Sequence, residues 1–397
     1  MKSKKSYIKT SLFLPIIIIL VVVVTNKIGS NSEEGLLDGS SKQIKQENTL
    51  SMMIEQTAGA GDYKMEERTS WPADGYIFNE TLSKCENGGI LGWNSEKGVI
   101  TMTGNMTDKC YIYFDKVPLT LARYIVSQYT GIQGENSIYY HDSSLTNGAG
   151  DSSYRYAGAS STVNNYVCFG SDAETCPTDN LYRIIGVIDG KVKLIKSTSL
   201  GNMVWDDNAS NTWSTSSLNT YLNGTYLTSL TNVWSDKIAI TTWKVGGNTS
   251  ENIESVVAKT AYTNEIISPT PTSTSTTGET EYSAKIGLMY VSDYGFAVLP
   301  TAWGVNLNSY NGNDSAGTTI TAINWLYLGS NEWTISRSTD FSNGVFFVYS
   351  DGQVYNNGNL DRFFVNYDNE VRPVFYLTSS AIYLNGDGTS ENPYRLS

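Results

Sequence analysis

Histidine, the side chain that most often carries general acid–base catalysis, is scarce in this chain. A single histidine, His141, serves all 397 residues, and it stands in the run YYHDSS, where it could pair with Asp142 or a nearby serine. Adjacent residues rarely point in the directions that a catalytic triad needs, so we interpret His141 as a surface-loop residue. One histidine also argues against a metal site with several histidine ligands.

Acidic side chains could instead supply the carboxylate pair of a glycan-active hydrolase. The candidates are Asp206, Asp207, Asp351, Asp361, Asp368 and Glu370. Each stands among turn-forming residues, where aspartate commonly bonds to the backbone of its own turn. We therefore predict turn roles for most of them and no catalytic residue, and we keep the hydrolase as an alternative.

The cysteines predict disulfides and not a metal site. Cys85 and Cys110 form one pair that is close in sequence, and Cys168 and Cys176 form another, as expected in an oxidising compartment. Other connectivities exist, and proximity is the basis for this one. Zinc would need closer cysteine spacing or histidines. The oxygen-rich runs NGDGTSENP and NGNDS lack the ligand spacing of an EF-hand loop, so no metal or cofactor is predicted.

A tyrosine- and asparagine-rich run between residues 349 and 369 has the composition of a binding surface. Tyrosine supplies rigid contact area at low entropic cost, and asparagine supplies adaptable hydrogen bonds. The predicted ligand-binding residues are Tyr349, Tyr355, Asn357, Asn359, Asp361, Phe364, Asn366 and Tyr367. The alternative is an ordinary β-hairpin in an asparagine-rich protein. The flanking runs GVFFV and VRPVFYL predict framework strands, in which Arg372 pairs with a buried carboxylate or with carbonyls.

Short β-type runs between turn dipeptides must position these residues. Residues 71–117 predict a small antiparallel β-module, and Asp189-Gly190 predicts the turn of a hairpin in the following domain, residues 118–397. Ser216 or Ser217 is expected to cap a helix. The apolar run AKIGLMYVSDYGFAVL is predicted to be a strand.

The N-terminus predicts a membrane anchor. Four lysines precede an uncharged Ile/Val-rich run, and the first 29 residues contain no evident cleavage site, so an uncleaved signal-anchor is favoured over a cleaved signal. The lysine placement puts the rest of the chain outside the cell. Polar residues 30–70 predict a flexible stalk. The net charge of −12 argues against a nucleic-acid partner.

The phrases NNYVCFGSDAETCPTDNLYRIIGVIDGKVKLIKS, SAKIGLMYVSDYGFA, EWTISRS and VRPVFYLTSS resemble an uncharacterised family of surface-anchored proteins of Gram-positive, gut-type bacteria. The resemblance covers residues 118–397. The order W-T-I-S-R, Y-S-D-G and V-R-P-V also resembles C-type-lectin-like domains of the formylglycine-generating-enzyme type. Such enzymes use a cysteine pair late in the domain, whereas the last cysteine here is Cys176.

Some members of this group are diversified by retroelements, which leave codons that cannot encode Gln, Glu, Lys, Met or Trp. Between Phe341 and Asn369, Gln353 alone belongs to that excluded set. The resemblance thus implies an α+β fold with a transmembrane helix, a β-module and a C-type-lectin-like domain of mostly antiparallel strands. The predicted function is a cell-surface receptor or adhesin for an extracellular protein or glycan, diversified by a retroelement. A structural envelope component is a further alternative.

Overall fold

The computed structural model describes residues 50–66, 72, 75–94, 99–105, 108–248, 256–269, 279–339, 341–355 and 365–397. The chain divides into two compact units between Pro118 and Leu119. The predicted signal-anchor, residues 1–29, and the predicted stalk up to residue 49 lie outside the described residues. Within the described ranges, no helix is long and apolar enough to cross a bilayer.

The first unit contains a mixed sheet and a separate hairpin. Its described strands are β1 (Leu50–Glu55), β2 (Tyr63–Glu66), β3 (Tyr76–Cys85), β4 (Gly89–Asn94), β5 (Val99–Gly104) and β6 (Cys110–Lys116). The sheet order is β2-β1-β6-β3, and β4 pairs with β5.

Strands β1 and β2 form within the segment predicted to be stalk, and β1 pairs in parallel with β6. The cause is the alternation of β1, which buries Met52 and Ile54 against Ile112 and Phe114. Within the predicted module, residues 71–117, the described pairs β3–β6 and β4–β5 are antiparallel.

The second unit is also built mainly of strands. These are β7 (Ile138–His141), β8 (Ser153–Tyr156), β9 (Tyr166–Cys168), β10 (Leu181–Ile188), β11 (Lys191–Lys196), β12 (Asn202–Val204), β13 (Thr241–Lys244), β14 (Gly247–Asn248), β15 (Glu281–Ala284), β16 (Ile286–Gly287), β17 (Glu332–Ser338), β18 (Val345–Val348), β19 (Val354–Tyr355), β20 (Asp368–Glu370), β21 (Val374–Tyr376), β22 (Tyr383–Asn385) and β23 (Arg395–Leu396).

The helices between these strands are short. Those in the described ranges are α1 (Leu121–Ser127), α2 (Ser217–Tyr221), α3 (Leu227–Ser229), α4 (Asn232–Ser235), α5 (Ala258–Tyr262) and α6 (Val291–Phe296). Single 3-10 turns occupy Glu135–Ser137, Thr178–Asn180, Trp213–Thr215, Pro300–Ala302, Leu307–Ser309 and Ile320–Ile323, and π turns occupy Leu222–Tyr226 and Thr263–Ile267. Ser216 caps α2 by accepting a hydrogen bond from the Asn219 amide, as predicted.

Two larger sheets organise this unit around one apolar core. One has the order β16-β21-β11-β10-β8-β7, with β9 also paired to β10, and the other has the order β12-β20-β17-β18-β19, with β14 paired to β17. The predicted hairpin is β10–β11, and its turn residues Asp189 and Gly190 take positive φ values of 50° and 70°. Seven tryptophans among the described residues of this unit, Trp333 included, are buried, with at most 4% of their surface exposed.

The predicted α+β fold with a C-type-lectin-like mixed domain is wrong, because the described residues form mostly β-sheet with a few short helices. The predicted strand over AKIGLMYVSDYGFAVL is also wrong in its second half, which forms α6. Every residue from Val291 to Phe296 is buried. A fully buried run has no polar face, so its period cannot distinguish a strand from a helix.

Candidate functional site

A tight turn joins β18 to β19 and begins the predicted binding run. The Tyr349 amide donates to the Gln353 carbonyl at 2.8 Å, and the Gly352 amide donates to the Tyr349 carbonyl at 2.9 Å. Asp351 accepts a hydrogen bond from the Gln353 amide at 3.0 Å. Gly352 has a φ of 97°, a conformation that favours glycine. Local hydrogen bonds therefore define the turn.

Three side chains from other parts of the unit hold this turn in place. The Tyr294 hydroxyl donates to the Gly352 carbonyl at 2.9 Å, and the Tyr327 hydroxyl donates to the Ser350 carbonyl at 2.6 Å. The Ser350 amide donates to Asn331 Oδ1 at 2.9 Å. The turn is thus attached to the body of the unit at several points, which pre-organises the residues beside it.

Four of the predicted binding residues lie in the described ranges, and we call Tyr349, Tyr355, Asn366 and Tyr367 the hairpin face. The rings of Tyr349 and Tyr355 lie 6.1 Å apart between centroids, so the structure brings these two together. Tyr355 is 43% exposed and Tyr367 is 41% exposed. Asn366 and Tyr367 precede β20, which lies on the opposite side of β17 from β18. Two strand spacings put the backbones of β20 and β18 roughly 10 Å apart.

The other predicted binding residues, Asn357, Asn359, Asp361 and Phe364, lie outside the described residues. The chain is described again at Val365, which is fully buried. Its carbonyl accepts from the Trp205 amide at 2.7 Å, and its amide donates to the Asn343 carbonyl at 3.1 Å. Val365, which directly precedes Asn366 and Tyr367, is therefore anchored to the framework.

The described acidic candidates for a hydrolase fall into two groups. Asp206, Asp207 and Asp351 lie in or beside turns, whereas Asp368 and Glu370 lie in strand β20, unlike the turn roles predicted. Asp206 accepts from the amides of Ser210 and Ser217, each at 3.0 Å, and Asp351 caps the turn described above. This confirms the turn interpretation for these two carboxylates. Asp361 lies outside the described residues. Over the described ranges, no group of three or more His, Cys, Asp and Glu side chains is arranged to hold a metal ion.

The prediction that His141 is a surface-loop residue is wrong. It ends strand β7 with no exposed surface, and its ring lies 5.0 Å from those of Phe296 and Trp303. The Ala149 amide donates to His141 Nδ1 at 3.0 Å. Burial lowers the pKa of His141 to about 3, so the imidazole is neutral at physiological pH.

The second unit contains a buried ionic cluster that was not predicted from the sequence. Asp293 accepts from Lys193 Nζ at 2.5 Å and lies 3.5 Å from an Arg155 nitrogen. Arg155 also pairs with Asp151 at 2.8 Å, and the Tyr262 hydroxyl donates to the same carboxylate. Two buried cations thus meet two carboxylates, of which Asp293 is buried and Asp151 is partly exposed. The one available signal was Lys193 at the centre of the apolar run of β11.

The ionic cluster is a framework element. Its charges balance and are paired, which is the condition under which ions are retained in a protein interior. The rings of Trp243, Tyr290 and Tyr376 surround Lys193 Nζ at 4.5 to 5.8 Å from their centroids. The cluster joins β8, β11 and α6. We assign it no catalytic role.

Both predicted disulfides are present. Cys85 is bonded to Cys110 in the first unit, and Cys168 is bonded to Cys176 in the second. Among the described residues no cysteine is free. Disulfides form and persist in oxidising compartments, so both are consistent with an extracellular protein.

Comparison with known families finds similarity for part of the second unit. Residues 189–379 match a family model described as a domain of unknown function (DUF6273). The match begins at the turn between β10 and β11 and includes the whole of the predicted binding run. Comparisons with curated proteins and with solved structures found no match.

Proposed function

We propose that this protein is an extracellular recognition protein, a receptor or adhesin, which binds a protein or glycan partner through the hairpin face. The observation that carries the proposal is the turn at residues 349–353, held by Tyr294, Tyr327 and Asn331 beside an exposed tyrosine, Tyr355. Because the turn is already ordered, binding loses little conformational entropy there.

The composition of the hairpin face supports this function. Tyrosine is enriched at binding surfaces because its ring adds contact area and its hydroxyl bonds to polar groups. Exposed Asn366 beside Tyr367 adds an amide that can donate and accept. The disulfides and the resemblance of residues 118–397 to surface-anchored proteins support an extracellular location.

The test compares the full-length protein with the double variant Tyr355→Ala/Tyr367→Ala. Labelled protein is applied to immobilised panels of extracellular proteins and of glycans, and the partner found with the wild type is then titrated. We expect the double variant to lose at least about tenfold in affinity, because tyrosine is enriched among the interface residues whose truncation costs about 2 kcal/mol or more.

The matched control is Ile240→Ala, which removes an apolar side chain that is 71% exposed and is not part of the hairpin face. It should bind like the wild type, and all variants should unfold at the same temperature. If the double variant binds as tightly as the wild type, the recognition surface lies elsewhere. Concentration-dependent self-association without any bound partner would favour a structural envelope component instead.

A further inference from the structure

The second unit also contains a groove of about 420 Å³ that none of the predicted binding residues lines. Its wall includes the tyrosines Tyr124 and Tyr394 and the polar side chains of Gln128, Asn136, Asn164 and Asp387. Small-molecule sites typically occupy about 300–1,000 Å³, and a few polar groups orient the ligand there.

Aromatic rings form one part of this wall. Tyr124 of α1 stacks on Tyr383 of β22, with ring centroids 3.8 Å apart and ring planes 10° apart. Tyr394 meets Tyr124 edge to face at 5.6 Å and Tyr383 at 6.0 Å. The cluster joins α1 to the β22–β23 hairpin, so packing fixes the rings that line the groove.

The amide side of the groove has a strained backbone. Asn136 and Ser137 are consecutive and have φ values of 56° and 58°, a region that side-chain-bearing residues rarely adopt. Asn136 Nδ2 donates to the Gln128 carbonyl at 2.9 Å, which fixes the amide and leaves its oxygen to accept. Retained strain of this kind concentrates at binding sites.

The charge of the groove disfavours an anionic ligand. No lysine or arginine stands among the described residues that line it. Hydrogen bonds from the amide and the hydroxyl of Thr389, at 3.0 and 2.7 Å, hold the pKa of Asp387 below its ordinary value. An anionic ligand would meet this carboxylate without a compensating cation. Amides and a carboxylate suit a ligand rich in hydroxyl groups, and tyrosine rings suit its C–H faces.

We propose that this groove binds a neutral saccharide. The ligand's hydroxyls bond to Asn136, Asn164 and Asp387, and its C–H surface packs against the tyrosines. The groove adds a second site to the proposed recognition function and shares no residue with the hairpin face, so either proposal can fail alone.

The experiment titrates the full-length protein, by calorimetry, with maltotriose, cellotriose, chitotriose and mannotriose. Choline and sialyllactose serve as cationic and anionic probes. We expect saturable binding of at least one neutral trisaccharide and none of the charged probes. Failure of every neutral trisaccharide, or binding of a charged probe alone, would overturn the proposal.

Two variants then locate the site. Asn136→Gly and Asn164→Ala should each weaken trisaccharide binding about fivefold, the ratio expected when one hydrogen bond is lost. Asn147→Gly is the matched control, because Asn147 is exposed, has a φ of 58° and does not line the groove. It should bind like the wild type. Equal affinities for all three variants would overturn the assignment.

Discussion

Arg372 binds Glu332 through two parallel hydrogen bonds in the interior of the second unit. Its Nε donates to Oε1 at 2.6 Å and a terminal nitrogen donates to Oε2 at 2.7 Å, while the same nitrogen also reaches the Leu326 carbonyl. Both side chains are almost completely buried. The pair confirms the predicted framework role of Arg372. It also ties the strand that carries Glu332, at the centre of the second sheet, to the segment before β21.

Glu332→Gln is expected to lower the free energy of unfolding by about 3–5 kcal/mol, because it leaves the Arg372 guanidinium buried without a counter-charge. Urea denaturation of the variant and the wild type measures the difference. The control is Glu281→Gln, which breaks the more exposed pair with Lys244 and should cost about 1 kcal/mol or less. Equal costs for the two variants would contradict the buried pair's role.

His141 should make the protein less stable in acid. The unfolded chain takes up a proton below pH 6.5, whereas the folded imidazole stays neutral to about pH 3. The unfolded state binds more protons in this window, so the free energy of unfolding falls as the pH falls, by up to about 1.4 kcal/mol per pH unit. His141→Leu should remove this contribution. In NMR spectra, the imidazole of this only histidine should not titrate between pH 8 and 4, and a midpoint near 6.5 would refute its burial.

Glu265 should make the protein more stable in acid, the opposite of the effect of His141. Burial raises its pKa to about 7, although the amides of Val291 and Ser292 and the Ser336 hydroxyl donate to it. The folded carboxyl holds a proton that the unfolded one releases above pH 4.5, so its contribution is complete below pH 4.5 and is lost as the pH rises through 7. Glu265→Gln should flatten this part of the stability curve. An unchanged curve would show that the pKa of Glu265 is the same in the folded and unfolded states.

Gly352 should tolerate no side chain. An added Cβ would overlap the Thr321 methyl group at a φ of 97°, so Gly352→Ala should cost about 2–5 kcal/mol, from left-handed strain and overpacking together. Gly317→Ala separates the two causes, because its φ is 80° and its Cβ would have no neighbour within 4 Å. It should cost about 1–2 kcal/mol. Equal unfolding temperatures for the two variants would show that the turn around Gly352 shifts to accommodate the added Cβ.

Local patterns in the sequence predicted local features correctly. The turn at Asp189-Gly190, the Ser216 cap and the pairing of cysteines close in sequence each depend on residues near one another in the chain. Composition alone gives the binding role of residues 349–369 only as a hypothesis. Its framework strands β18 and β21 are present, while its centre lies outside the described residues.

The tertiary structure decided what depends on residues far apart in sequence. Lys193 and Asp293, 100 positions apart, neutralise each other in the core, and Leu50 of β1 pairs in parallel with Cys110 of β6. The helix α6 lies where a strand was predicted. It is buried on all sides, so its sequence shows no helical alternation of apolar and polar residues. By itself the sequence determined turns, caps and disulfides, whose partners are close along the chain. Only the folded chain decided which charges and strands meet, because their partners are brought together by long-range packing.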